Sequence, residues 1–582
     1  MNDESRIDPV IPADLDAAVA PRDGLSHVVG RTDLPLSSLT IGALLDEAVA
    51  RWPDRPACFF REAGVRWSWR EFDAEVTALA AGLHALGLQR GDRLGIWSPN
   101  RPEWLLAQFA TARLGLVLVN VNPAYRLSEL EYALNVSGCR AVISAERLKT
   151  SQYLEMLATL APELAQCAPG RLVSARLPQL QIVIRLGNGA TPGMLGFDAV
   201  MQGGREALRA GRGPAPLALD CHDPINIQFT SGTTGNPKGA TLTHHNVVNN
   251  ARFIAQAMRF TEADSLCIPV PLYHCFGMVL AVLACVSSGA AMVFPGEAFD
   301  PVATLAAVAE EHCTALHGVP TMFIAELDHP DFARYDLSSL RTGIMAGSPC
   351  PIETMKRVVS QMHMGEVTIA YGMTETSPVS FQSATTDPLE RRVTTVGRVQ
   401  PHLEVKLVDA DGRIVPVGEK GELCTRGYSV MKGYWGDEAR TAETVRDGWM
   451  QTGDLAVLDA QGYCNIVGRV KDMVIRGGEN VYPREVEEFL FRHPKVQSVQ
   501  VFGVPDPRYG EELCAWIVTK PGTTCTESEI REYCRDQIAH YKVPRYVRFV
   551  DEMPMTITGK VQKFMMRDRM VAELGLSQSL TS

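Results

Sequence analysis

The stretch Gln228-Phe229-Thr230-Ser231-Gly232-Thr233-Thr234-Gly235-Asn236-Pro237-Lys238-Gly239 separates an apolar run ending at Phe229 from a second at Ala240 to Leu242. Apolar runs bounding a dense cluster of Gly, Pro, Thr and Asn read as strand, tight loop, strand. Glycines let backbone N–H groups approach a ligand closely. Hydroxyls and a lysine beside them suit a polyphosphate, whose neighbouring oxyanions need hydrogen bonds and neutralising charge together. The common phosphate loop places Gly before Lys, Ser or Thr after it, and a helix behind; here Pro237 precedes Lys238 and Gly239 follows. A nucleotide-hydrolysing fold of that type is disfavoured. The loop alone is also compatible with an ordinary glycine-rich hairpin.

Upstream, residues 1 to 38 are polar and show no period. Ile41, Leu44, Leu45, Ala48, Val49 and Trp52 then share one helical face. Ser68 and Glu71 form a capping box ahead of a helix that Gly87 is placed to end. Strand-like Arg93 to Trp97, helix-like Glu103 to Leu114 and strand-like Leu116 to Val121 follow, while 165 to 219, rich in Pro, Gly and Arg, reads as surface loops around a strand at Gln181 to Arg185. Downstream, Leu266 to Pro271, Ala290 to Phe294, Thr314 to Gly318, Thr342 to Ala346 and Val367 to Ala370 are strand-length runs spaced by helix-length segments. Beyond Val399, shorter strand-and-turn pieces suggest a β-rich unit. After the charged connector Gly468-Arg469-Val470-Lys471-Asp472, alternating strand and helix candidates from Met473 to Phe549 form a compact α+β unit. The expected fold class is α/β: residues 1–470 as two layered α/β subdomains plus a β-rich subdomain, and 471–582 as a small α+β domain.

A length of 582 residues exceeds one core. A balance of 56 basic against 67 acidic residues, formal net charge −11, argues against a nucleic-acid surface. The 14 cysteines show no Cys-x-x-Cys pair and no His/Cys ligand spacing, so neither a zinc site nor a disulfide framework is indicated. They read as small buried hydrophobes in a reducing compartment. With an acidic start, Met-Asn-Asp-Glu-Ser-Arg, the expected location is the cytoplasm. Phe276 to Pro295 carries no charge, but Ser287-Ser288-Gly289 divides it into a buried helix and a core strand, so no membrane span is predicted.

Thr230 to Gly239, Tyr371-Gly372-Met373-Thr374-Glu375-Thr376, Gly421-Glu422-Leu423, Tyr434-Trp435, Thr452-Gly453-Asp454, Gly468 to Asp472, Gly477-Gly478-Glu479-Asn480 and Thr558-Gly559-Lys560 together resemble, in order, the signatures of the adenylate-forming superfamily. That superfamily contains acyl-CoA synthetases, firefly luciferase and peptide-synthetase adenylation domains. The resemblance implies ATP, Mg²⁺ and CoA as partners and a carboxylic acid as substrate. A carboxylate is a poor acyl donor because its leaving group would be oxide, and such enzymes convert it with ATP to an acyl-phosphate anhydride. Two anions then meet, and the transition state needs positive charge and positioned donors.

On this resemblance Thr230, Ser231, Gly232, Thr233, Thr234, Gly235 and Lys238 grip the leaving pyrophosphate. Thr374 contacts the α-phosphate, and Glu375 holds Mg²⁺, a hard ion suited to carboxylate oxygen. Tyr371 and Gly372 face adenine from one side, with Gly347, Ser348 and Pro349 on the other. Asp454 and Arg469 meet the ribose hydroxyls. Lys560, a compact cation on a flexible stem, bridges carboxylate and α-phosphate. Lys471 is the hinge of a mobile C-terminal domain, and the Gly477-Gly478 loop faces the pantetheine channel after rotation.

The acyl side is read from Pro271-Leu272-Tyr273-His274-Cys275-Phe276-Gly277-Met278, which lacks the carboxylate that would pair with an amino-acid ammonium. An apolar acid is therefore expected, with His274 as a gate near its carboxylate. The sequence looks closest to the medium-chain fatty-acyl-CoA synthetase branch, departing at Pro401-His402, where the family commonly has Pro-Gly. Alternatives are an aryl-acid or carrier-loading ligase, a luciferase-like oxygenase detectable by O₂ consumption, and a catalytically inactive nucleotide-binding regulator. The presence of Lys560 and Glu375 disfavours the last.

Overall fold

The computed structural model describes residues 19–230, 237–348, 350–477, 479–535, 537–556 and 560–576. Among these, an eight-stranded sheet runs in the order Leu195–Gly196, Ile182–Arg185, Cys139–Ser144, Arg93–Trp97, Val117–Asn120, Pro224–Thr230, Lys238–Thr243, Gly433–Tyr434. The first six are parallel, and the last three form antiparallel pairs around the phosphate hairpin. A nine-stranded sheet carries a parallel centre of Pro56–Phe60, Ala291–Phe294, Ser265–Cys267, Ala315–Leu316, Thr342–Ala346 and Glu366–Gly372. Parallel strands need both faces covered, and the helix Pro102–Leu114, buried along nearly its whole length, packs into the core that the two sheets share.

A six-stranded antiparallel sheet follows, built on Leu403–Val408, Lys420–Gly427, Trp449–Leu458 and Cys464–Arg469. Last comes a five-stranded sheet of Glu479–Val481, Val474–Arg476, Gly510–Thr519, Val496–Asp506 and Tyr546–Phe549, covered by its own apolar clusters. This is the layered α/β, β-rich and α+β architecture expected, and the capping box at Ser68 and Glu71 is formed.

Three expectations are corrected. The segment 165 to 219 is not only loop, because Phe197–Arg209 is a helix with Phe197, Val200, Met201, Gly204 and Ala207 buried. Its two adjacent glycines lower helix propensity and hid it. Gly204 is nevertheless required, since a Cβ there would stand 2.0 Å from the Ala78 carbonyl oxygen of the helix Trp69–Ala85. Within the polar start, His27–Val29 adds a strand to the β-rich sheet, pairing with Glu404 to Lys406. The apolar helix after Cys275 begins as a π-helix, Phe276–Leu283, before the α-helix Ala284–Ser288. His402, standing where glycine is usual, adopts φ +57°, and its ring bonds to the Leu34 carbonyl. No helix among the described residues is long and apolar enough to cross a membrane.

Candidate active site

The hairpin register pairs Thr230 with Lys238 at the mouth of the loop. Ala240 pairs with Tyr434 on the next strand, so the Tyr434 ring lies 5.1 Å from the Lys238 Nζ. Ser231, Gly232, Thr233, Thr234 and Gly235 lie outside the described residues.

The opposite wall is the end of strand Glu366–Gly372 and the turn Thr374–Thr376. Gly372 admits no side chain, because an added Cβ would be 1.7 Å from the Pro378 carbonyl oxygen. That close approach turns the chain so that Thr374 and Glu375 are buried at the site. Glu375 Oε1 accepts from the Tyr434 hydroxyl at 2.9 Å and from Thr230 Oγ1 at 3.4 Å. Burial, then the charge of Glu375, pushes the Tyr434 phenol up, so it stays a donor. The neighbouring strand Thr342–Ala346 pairs Ala346 with Ala370, bringing Gly347 and Ser348 beside Tyr371; Pro349 lies outside the described residues.

Asp454 and Arg469 face each other across the antiparallel strands Trp449–Leu458 and Cys464–Arg469. The Arg469 Nε donates to Asp454 Oδ1 at 2.9 Å, and the Tyr371 hydroxyl to Oδ2 at 2.6 Å. Asp454 is 5% exposed, so both oxygens need such partners. The Asp454 charge is the largest cause of the raised Arg469 pKa.

Lys560 is held by its own small hairpin. Its N–H donates to Thr556 Oγ1 at 3.0 Å, the Thr556 N–H donates to its carbonyl at 2.8 Å, and Met555 bridges to Val561. Although the residue keeps solvent exposure, protein crowding its ammonium lowers its pKa. The Arg469 charge acts in the same direction, and Glu375, Asp454 and Cys275 oppose both. His274 is held neutral, its pKa lowered to about 3 first by the surrounding protein and then by Lys560. Its Nδ1 accepts from the Phe276 N–H at 3.2 Å. The C-terminal lysine therefore stands among Glu375 at the end of the nine-stranded sheet, Asp454 and Arg469 of the β-rich sheet, and the His274-Cys275 segment.

The structure does not bring every expected residue here. Lys471 lies in the exposed turn Val470–Asp472, directly after Arg469. Gly477 donates its N–H to the Tyr509 carbonyl at 2.8 Å, inside the C-terminal unit; Gly478 lies outside the described residues. Four participants had no role assigned from sequence. Tyr434 and Glu422, whose Oε1 accepts from the Gly453 N–H at 3.2 Å, both sit in recognisable motifs, so the motifs were the available signal. Cys275 donates to Gln228 Oε1 at 3.1 Å, and Gln228 Nε2 lies 3.7 Å from Met278 Sδ. Only the fold joins these last two segments.

Residues 45–435 match the family described as AMP-binding enzyme, and residues 485–560 its C-terminal domain. The chain belongs to the AMP-binding enzyme family. YngI of Bacillus subtilis is 50% identical over 542 residues, covering 93% of this chain and 98% of the relative. The mitochondrial medium-chain acyl-CoA ligase ACSF2 of Danio rerio is 49% identical over 555 residues, covering 95% and 91%. Among solved structures, the anthranilate CoA ligase AuaEII with anthranoyl-AMP superposes with TM-score 0.83 at 27% identity, covering 94% of this chain and 99% of that one. ATP-bound MatB from Rhodopseudomonas palustris gives TM-score 0.78 at 30% identity, covering 91% and 99%.

Proposed function

We propose that this chain is an AMP-forming acid–thiol ligase acting on medium-chain fatty acids. Carboxylate and ATP give acyl-AMP and pyrophosphate; acyl-AMP and CoA then give acyl-CoA and AMP. The observation that carries the reading is the gathering of Lys560 with Glu375, Asp454, Arg469 and His274 at one place, beside the apolar segment Pro271 to Met278. Family membership and the relative named a medium-chain acyl-CoA ligase support the substrate class.

In the first step the substrate is already ionised, so no general base is required. Lys560 offsets the meeting of carboxylate and α-phosphate, Thr230 and Lys238 hold the leaving pyrophosphate, and Thr374 orients the α-phosphate. Asp454 and Arg469 fix the ribose; Tyr371, Gly347 and Ser348 enclose adenine. Glu375 fits a magnesium ion: its side chain takes hydrogen bonds from two neutral hydroxyls and, among the described residues, no salt bridge. Magnesium when bound supplies charge that neutralises phosphate oxygens. His274, neutral beside Lys560, admits an acyl carboxylate without adding a second fixed cation.

In the second step Lys560 is idle and pantetheine must reach the same carbonyl. The division at 470/471 supplies the motion, with Lys471 as hinge and Gly477-Gly478 as the face that then meets the channel. All fourteen cysteines are unpaired and eleven are buried, which supports a reducing compartment and the cytoplasm, although the vertebrate relatives are named mitochondrial. An aryl acid is the second reading, favoured by the likeness to the anthranilate ligase.

Pyrophosphate release measured over C2 to C18 acids, benzoates and amino acids, with and without CoA, tests both. Activity should peak on medium-length saturated acids. A clear preference for acetate or an amino acid overturns the pocket argument, and a preference for benzoates selects the second reading.

A further inference from the structure

Cys221, His222 and His245 stand at the base of the phosphate hairpin, at the end away from its loop. Cys221 and His222 precede the strand Pro224–Thr230, and His245 follows the strand Lys238–Thr243, whose register pairs Pro224 with Thr243. The His245 N–H donates to the Cys221 carbonyl at 2.7 Å and closes this base. The Cys221 sulfur and a ring nitrogen of each histidine all lie within 4.8 Å of one another, and the imidazole centroids are 4.7 Å apart.

We propose that this thiol and pair of imidazoles form a binding site for a divalent cation of the zinc class. Two imidazoles and a thiolate are the donors that borderline first-row ions take, whereas Mg²⁺ prefers oxygen. Zinc bonds of about 2.3 Å to sulfur and 2.0 Å to nitrogen draw tetrahedral donors to roughly 3.5 Å from each other. His222 is exposed, so rotation of its side chain closes the remaining distance without moving the sheet.

The surroundings fit a cation. The Asn249 side chain holds the imidazole plane of His245. Asn249 Nδ2 packs 3.2 Å from Nδ1 of the same ring. Asp220 and Asp223 place negative charge beside the Cys221 thiol; Arg90 holds Asp223 at 2.6 Å. Asp220 accepts the His222 N–H at 2.8 Å. Binding releases the thiol proton to solvent. Three protein donors leave a fourth position for water.

The seven-residue strand Pro224–Thr230 spans roughly 20 Å, so this site is separate from the nucleotide groups at Thr230 and Lys238. Its donors come from opposite ends of a hairpin, which is why no motif spacing discloses them. A bound ion would brace the base of the element whose loop holds phosphate.

The test uses the full-length protein, stripped with chelator and titrated with Co²⁺, then with Zn²⁺ in competition. One equivalent of Co²⁺ should bind with thiolate-to-metal charge-transfer absorption, and Zn²⁺ should displace it and raise the Tm. Cys221→Ser should abolish that band, and His222→Ala, at an exposed side chain, should weaken Zn²⁺ at least tenfold. Cys525→Ser, at another half-buried cysteine, should leave both unchanged. Absence of binding, a Co²⁺ spectrum without the Cys221-dependent band, or unaltered affinity in His222→Ala overturns the proposal.

Discussion

Lys238 opens a strand held on both sides, by Pro224–Thr230 and by Gly433–Tyr434, inside the eight-stranded sheet. Lys560 hangs from a hairpin closed by one bridge, on a unit with its own core. Among the described residues, that unit meets the rest of the chain through polar contacts such as that of Arg484, which donates to the Ile466 carbonyl, and that of the Lys420 ammonium, 3.2 Å from the Tyr482 ring centroid. Both lysines face the same site, but the supports differ in what must break to move them. Displacing Lys238 means unpairing a strand bonded on both sides. Displacing Lys560 means exchanging polar contacts such as these, and polar contacts between units permit relative motion. On the proposed mechanism, a phosphate grip needed throughout would be built into the sheet, and a cation needed for one step would be carried by the C-terminal unit.

The largest effects should follow from removing each side of this contrast. Lys560→Ala should lower acyl-AMP formation from acid and ATP by roughly 10²–10³-fold, yet convert supplied acyl-AMP and CoA to thioester. Lys471→Pro, which fixes φ in the connector, should do the reverse. Pyrophosphate is then released once, acyl-AMP accumulates, and thioester formation drops about a hundredfold through misplacement. Equal loss of one half-reaction in both variants would end the domain-alternation account.

Glu375→Gln comes next. Glutamine keeps an acceptor for Tyr434 and Thr230 but loses the charge, so adenylation should fall on the order of 10²-fold, the Mg²⁺ requirement should rise, and the Tm should hold within a few degrees. Unchanged magnesium dependence would assign Glu375 to the Tyr434 hydrogen bond alone. A smaller effect is expected for Asp454→Asn, which weakens the Arg469 pair and the ribose contact. KM for ATP should rise roughly tenfold, or about 1.4 kcal/mol, with kcat less changed; an effect on kcat alone would remove Asp454 from ribose binding.

Much of this contrast was legible in the residues. Strands such as Arg93–Trp97 and Thr342–Ala346 coincide with their apolar runs, because a buried parallel strand is written as continuous hydrophobicity. The helix Phe197–Arg209 was hidden, since Gly204 within it serves a neighbour distant in sequence. The motifs named Glu375, Asp454, Arg469 and Lys560, but not the hydroxyl of Tyr434 on Glu375 or the thiol of Cys275 on Gln228. Those contacts exist only once separate sheets have been brought together, and no local period encodes them.

The smallest predicted effect concerns His274 and measures how closely Lys560 approaches. An unperturbed histidine titrates near pH 6.5, whereas here surrounding protein first and the Lys560 charge second lower the pKa to about 3. The imidazole is therefore neutral from about pH 5 upward. The pH–rate profile of adenylation should show no inflection from it, and a histidine-selective NMR titration should find its ring unchanged between pH 5 and 8. The sign for stability follows: the unfolded chain takes up a proton below pH 6.5 that the folded ring refuses, so this group costs stability as pH falls from 6.5 toward 3. Because burial is the larger cause, Lys560→Met should raise the His274 pKa only in part, leaving it below the ordinary value. A wild-type titration near pH 6.5 would mean that the ring is open to water and that Lys560 stands elsewhere. A pKa left unmoved by Lys560→Met would mean that His274 and Lys560 do not share one electrostatic site.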